Sequence, residues 1–130
     1  MKVGFTGTRY GFSKAVEDSI ADFLSTFDDL EEVHHGDCIG SDAMFHDLVR
    51  ERFPHVKVVV HPPLIPRLRA FKPGDEVHPP RHYKERNRDI VDSCDLLIAV
   101  YHKRYPSRGT HYTASYAKSV GKEVMEFRSE

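Results

Sequence analysis

A chain of 130 residues with 39% hydrophobic content supports one domain around one modest core. Its 19 Lys and Arg nearly balance 20 Asp and Glu, and the formal net charge of -1 gives no bulk pull toward nucleic acid or a membrane surface. No segment approaches the roughly 20 apolar residues of a bilayer span, MKVGFTGTR lacks the apolar core of a signal peptide, and Cys38 and Cys94 form no CxxC, so a soluble, cytoplasmic protein is expected.

Residues 2–6 (KVGFT) read as a first strand, ended by Gly7. Ser13 is the expected N-cap of a helix whose Val16, Ile20, Phe23, Leu24 and Phe27 recur at spacings of three and four. Residues 31–35 (EEVHH) form a short second strand, followed by the loop GDCIGSD. Ser41 or Asp42 is expected to cap the next helix, with Met44, Phe45, Leu48, Val49 and Phe53 facing inward. Residues 56–60 (VKVVV), short and β-branched, are a third strand. The proline-rich residues 61–80 make a long connection for a compact domain, and such connections are functional or mobile. A helix over about 81–93 turns Ile90 and Val91 inward, and residues 95–101 (DLLIAVY) form the fourth strand. A last helix over about 109–120 ends at Gly121, and residues 122–127 supply a fifth strand.

This alternation implies an α/β three-layer sandwich: a five-stranded parallel sheet of order 3-2-1-4-5 with helices on both faces. In that order the winding reverses between strands 1 and 4, and ligands of such sheets bind beyond the carboxyl ends at the reversal. The loops that meet there begin with Gly7-Thr8-Arg9-Tyr10-Gly11 and with residues 101–109.

Four stretches can bind there. In Ser107-Arg108-Gly109-Thr110 the unpaired N–H groups of a helix start favour an anion, glycine allows close approach, and Ser107, Arg108 and Thr110 add donors. In the first loop Gly7 and Thr8 precede Arg9, which can pair with phosphate, while Tyr10 or Phe12 can stack on a base; no GxGxxG is present. Gly36 and Gly40 let the backbone run close to a ligand, with Asp37, Ser41 or Asp42 facing ribose hydroxyls. In RHYKERNRD, Arg86 or Arg88 can point toward the end of the fourth strand and Asn87 can orient a neighbouring loop. Arg67, Arg69, Lys72, Arg81, Lys84, Arg86 and Arg88 make the middle third locally basic, which suits a small polyanion better than a duplex. The ordinary alternatives are a capped turn, a surface arginine and a solvated helix face. The nine histidines follow no HExxH or paired Cys/His spacing, so no metal is expected, and GxSxG is absent.

The combination of GTR after the first strand, GDCIGSD after the second, RNRDIV and CD before the fourth, and RGT opening the last helix resembles the SLOG superfamily. That group includes the DprA/Smf proteins and the LOG-type "lysine decarboxylase-like" phosphoribohydrolases, and the chain is most similar to its small stand-alone YspA-like members over nearly its whole length. The resemblance implies a Rossmann-like fold that binds nucleotides or nucleotide-derived ligands, as a homodimer or larger homo-oligomer. It matches Gly109 and Thr110 to the Gly-Thr of the phosphate-binding PGGxGTxxE motif, and Arg86 to the arginine ahead of strand 4. Two departures stand out. Pro106-Ser107-Arg108 replaces the PGG segment, and Thr113 stands where the hydrolases carry a glutamate. Arg86 and Asp37 are then the catalytic candidates, with Asp42 or Glu85 as further substitutes for the missing acid.

The resulting expectation is a cytosolic module that binds a nucleotide-derived small molecule, as sensor or sequestering protein, with no cofactor and no membrane. The alternative is an N-glycosidase acting on nucleoside 5′-monophosphates. DprA-like single-stranded DNA binding is disfavoured by the net charge and by the lack of an extended aromatic-plus-basic groove.

Overall fold

A computed structural model describes residues 1–130. In chain order the elements are β1 (Lys2–Gly7), α1 (Lys14–Ser25), β2 (Glu32–His35), α2 (Ser41–Arg52), β3 (Lys57–Val60), β4 (Glu76–Val77), α3 (Tyr83–Asp92), β5 (Leu96–His102), α4 (Arg108–Ser119) and β6 (Glu123–Ser129). The strands form one parallel sheet of six, in the order β4-β3-β2-β1-β5-β6.

The sheet therefore has six strands, not the five of order 3-2-1-4-5 that the pattern predicts. The added strand, β4, lies inside the proline-rich connection and pairs Glu76 with Val59 and Val77 with Val60. Two residues, one of them charged and exposed, carry no alternation by which a strand is recognised. The open edge of β3 selects the segment, with Asp75 N–H donating to Val58 O at 2.8 Å and His78 N–H to Val60 O at 2.9 Å. The remaining five strands are neighbours in the order expected of them.

Alternation along the strands divides the core. Leu96, Ile98 and Val100 of β5 join Val3, Phe5, Val33 and the apolar sides of α1 and α2 in one large cluster. Leu97 faces Ile90, Val91 and Ala117, while Ala99 and Tyr101 face Ala114, so α3 and α4 cover the opposite face. Every residue of β5 but His102 is buried, as a central parallel strand between two helical layers requires. The Phe5 ring of β1 stacks on Phe45 of α2 at 4.3 Å between centroids, which fixes α2 to the sheet beside the reversal.

Local signals explain most helix limits. Ser13 caps α1, its Oγ accepting the Val16 N–H at 3.3 Å. Ser107 caps α4 and His82 caps α3, which begins at Tyr83 rather than near residue 81. Neither Ser41 nor Asp42 caps α2: the cap is Gly40, with φ +94° and no side-chain bond. Met44, expected inward, is exposed, Phe53 is half-buried, and His46 is buried on that helix instead. Residues 61–80 contain one 3-10 turn, Pro66–Leu68. No helix is long and apolar enough to cross a membrane.

Candidate functional site

The winding reverses between β1 and β5, and the turns that leave β1, β2 and β5 converge above that point. Thr8 organises the first turn. Its N–H donates to Val100 O at 3.3 Å, its Oγ1 accepts the Tyr10 N–H, and its carbonyl accepts the Ser41 N–H at 3.1 Å and the Ser41 hydroxyl. Gly40 closes this junction, since a Cβ there would fall within the Arg9 carbonyl and its positive φ strains any other residue. Ser41 and the start of α2 are thereby engaged inside the protein.

The next turn is also largely closed. Asp37 has φ +56° and is fully buried; its carboxylate accepts Arg69 Nε at 2.9 Å and the Lys72 N–H at 2.9 Å. Together with Ala70 N–H to Asp37 O and Ile39 N–H to Leu68 O, these bonds tie residues 61–80 to the turn. His35, fully buried, accepts the Asp37 N–H on Nδ1 at 2.9 Å, and its Nε2 lies 2.9 Å from His46 Nδ1. That acceptor role requires an unprotonated Nδ1, and burial holds the ring well below its usual pKa.

Arg86 reaches from α3 over the carboxyl ends of β2 and β3. Its Nη1 donates to Gly36 O and, at 3.3 Å, to His61 O, and it lies 3.6 Å from Cys38 Sγ. A side chain on residue 36 would occupy the position of this guanidinium, so Gly36 is what permits the approach. Arg86 is only 7% exposed, yet its Nε has no partner and the side chain makes no salt bridge. Two nearby acids are committed elsewhere, Asp37 to Arg69 and Asp89 to Arg81. Asp42 accepts the Cys38 N–H at 3.1 Å, and burial pushes its carboxyl up to about 6 against the pull of Arg86. Burial also pushes the Cys38 thiol up, which keeps it protonated and a poor nucleophile at neutral pH.

The start of α4 is different in kind. Ser107 Oγ accepts the Thr110 N–H at 3.3 Å and meets Thr110 Oγ1 at 2.8 Å, an ordinary cap. The N–H groups of Arg108 and Gly109, in the first turn, have no carbonyl four residues back within the helix. In front of Gly109 no heavy atom lies within 4 Å of where a Cβ would stand. Thr113, at the position of the missing acid, is fully buried and donates its hydroxyl to Gly109 O at 2.7 Å.

These walls enclose a cleft of about 680 Å³. Gly7, Thr8 and Arg9 line it from the first turn, Gly36 and Asp42 from the second, Arg86 and Asn87 from α3, and Ser107, Arg108, Gly109 and Thr110 from α4. Asp37, Gly40 and Ser41 do not line it, and Glu85 is exposed and paired with Arg81 at 2.6 Å. Phe12 belongs to the core, whereas Tyr10 is 57% exposed at the mouth and packs at a tilt against Tyr105. Cys38 and Ile39 of GDCIGSD, Tyr83 of RHYKERNRD, and Pro63 and Leu68 of the long connection also line it, though none of the five was expected as a ligand contact; for Tyr83 the one available signal is an aromatic in an otherwise charged helix start.

A second recess of about 460 Å³ lies across Arg86, lined by His61, His78, Arg81, Asp89 and other polar groups, and it includes neither the β1 nor the β5 turn. Both of its histidines are already partnered: His61 Nε2 lies 2.8 Å from His34 Nδ1, and His78 Nε2 lies 2.7 Å from Glu76. No three His, Cys, Asp or Glu side chains stand together as a metal site.

Against known proteins, no family model and no curated sequence matches the chain. Among solved structures, the X-ray structure of TM1055, a structural-genomics target, is similar with a TM-score of 0.61 at 18% identity. The match covers 95% of this chain and 71% of that one. The fold is Rossmann-like. At that identity the likeness speaks to the fold and to no activity.

Proposed function

We propose that the chain is a cytosolic, SLOG-like module that binds a nucleotide or nucleotide-derived ligand, with a phosphate at the first turn of α4. The observation that carries this reading is the open turn itself. At the winding reversal, Arg108 and Gly109 present unpaired N–H groups to a cleft whose rim also bears Arg9. A helix start of this kind favours an anion through both its donors and its dipole. Apolar surface at Ile39, Leu68, Tyr83 and Tyr10 supplies room for a sugar and base. The SLOG-like reading also carries a homo-oligomer, which light scattering on the eluting protein tests.

Titration calorimetry against nucleoside mono- and diphosphates, ADP-ribose and cyclic nucleotides tests the binding. At least one should bind, and Arg108→Gln combined with Thr110→Val should weaken it about tenfold or more, the loss of one charge-assisted contact. Absence of binding across the panel, or indifference to both substitutions, rejects the reading.

Asp42 favours a second reading, N-glycosidic hydrolysis of a nucleoside 5′-monophosphate. A carboxyl in the cleft with a pKa near 6 can give and take a proton close to neutrality. Chromatography for free base after prolonged incubation is the check; release that Asp42→Asn abolishes supports it, and no release removes it.

A further inference from the structure

We propose that the polar recess beside α3 is a binding site in its own right, separate from the cleft, and that it takes a small molecule bearing a protonated primary amine. This site stands independently of the nucleotide reading.

The inference starts from His61, the residue just past β3, which is 2% exposed. Its Nε2 lies 2.8 Å from His34 Nδ1, and His34 Nε2 lies 2.6 Å from Glu32 Oε1. These contacts fix the protons. A carboxylate only accepts, so His34 carries its hydrogen on Nε2 and presents a bare Nδ1. His61 must then donate from Nε2, and in the neutral ring its Nδ1 is a lone pair. Burial holds both rings below their usual pKa, His61 at about 3, so the neutral form is the resting one. That lone pair has no partner within the chain. Only the Arg86 Nε is both unpartnered and sealed, so His61 Nδ1 opens onto free space, and His61 lines the recess and not the cleft. A buried acceptor held open in this way calls for a donor from outside.

The other groups around the recess sort by what they have left. The donors are spent. Arg81 serves Asp89 at 2.8 Å and Glu85 at 2.6 Å, Arg86 serves the carbonyls of Gly36 and His61, and the Ser93 hydroxyl serves Asp89 O at 2.7 Å. Acceptors remain. Asp89 uses one carboxylate oxygen, on Arg81, and Asp92 takes only the Tyr116 hydroxyl at 2.7 Å and has no cation. An anion would meet two carboxylates here, and no arginine without an acid or a carbonyl already on it. A metal ion would lack three converging ligands. An ammonium group brings three N–H donors and one positive charge, which match one imidazole lone pair and two free carboxylate oxygens. A volume of about 460 Å³ suits a small-molecule carrier of that group.

The full chain, labelled with nitrogen-15, should be titrated with butylammonium while the histidine ring nitrogens are followed by NMR. In the free protein His61 should carry its hydrogen on Nε2 and leave Nδ1 bare; the opposite tautomer overturns the proposal at its root. Butylammonium should shift the Nδ1 resonance to saturation. Tetramethylammonium, which has the same charge and no N–H, should leave it in place, and so should acetate. Asp92→Asn, at an exposed position, should weaken butylammonium binding about tenfold, the worth of one charge-assisted contact. An Nδ1 indifferent to butylammonium, an equal response to tetramethylammonium or acetate, or undiminished binding by Asp92→Asn overturns the amine site. None of these outcomes bears on nucleotide binding in the cleft.

Discussion

The turn over residues 36–42 and the turn over residues 107–110 are built from much the same vocabulary of glycine, serine and charged residues, and the protein uses them in opposite ways. In the first, Asp37 is filled by Arg69 and Lys72, Ser41 bonds Thr8, Asp42 bonds Cys38, and Gly40 lies against Arg9. In the second, the cap uses Ser107 and Thr110 while Arg108 and Gly109 stay open to the cleft. Polar and glycine content marks both as special. Unspent donors distinguish a seat for a ligand from a joint of the scaffold.

Matched glycine substitutions should break this contrast most visibly. Gly40→Ala puts a Cβ into the Arg9 carbonyl at φ +94°, and a loss of about 3 kcal/mol or more is expected from strain and clash together. Urea denaturation measures it, and a variant as stable as the parent would show that the junction yields.

Asp37→Ala should cost about 3 kcal/mol, because it leaves Arg69 and the Lys72 N–H without their buried acceptor. Faster proteolysis within residues 61–80 is the local readout. Unchanged cleavage would mean that β4 alone holds that segment.

Acid should loosen the same closed end. Burial holds His35 well below its usual pKa and His61 down at about 3, so between about 6.5 and those values the unfolded chain binds more protons than the folded one. Stability conferred by the neutral rings is complete above about pH 6.5 and falls as pH drops, by up to about 1.4 kcal/mol per pH unit for each ring. Asp42 acts oppositely. Its carboxyl, raised to about 6, costs stability above that pH, and the cost is relieved as pH falls toward 4. His61→Gln should therefore make the decline from pH 7 to 5 shallower, and Asp42→Asn should make it steeper while raising stability at pH 7. Identical pH profiles for all three proteins would reject this assignment.

The smallest effect belongs to the open turn. Gly109→Ala meets no atom within 4 Å and lies in a helix, so stability should change by less than about 1 kcal/mol. Its effect should appear in ligand affinity, where the added methyl blocks the approach of an anion. Loss of stability with unchanged binding would reverse the comparison.

Much of this frame is legible in the chain because local chemistry and burial agree there. The short apolar stretches of β1 and β5, the helical spacing of α1 and the Ser13 cap each predict their element from neighbours in sequence. Right-handed crossovers restrict the order of the five longer strands to a few arrangements, of which the protein adopts the expected one. Strand β4 escapes such reading because its two residues are defined by the edge they fill. The cap of α2 escapes it because Thr8, thirty-three residues earlier, takes the Ser41 hydroxyl. Asp37 and Asp42 are equivalent by type and motif; packing buries one against Arg69 and turns the other to the cleft.

The sequence by itself determined the α/β alternation and the presence of a capped helix start with an arginine and a glycine after β5. Both follow from periodicity and capping chemistry, which act over a few residues, while handedness narrows the strand order without choosing it. Only the tertiary structure decided which polar groups are already satisfied. That includes the burial of Arg86 over two strand ends with an unpartnered Nε, because a hydrogen-bond account closes only when partners distant in sequence are brought together.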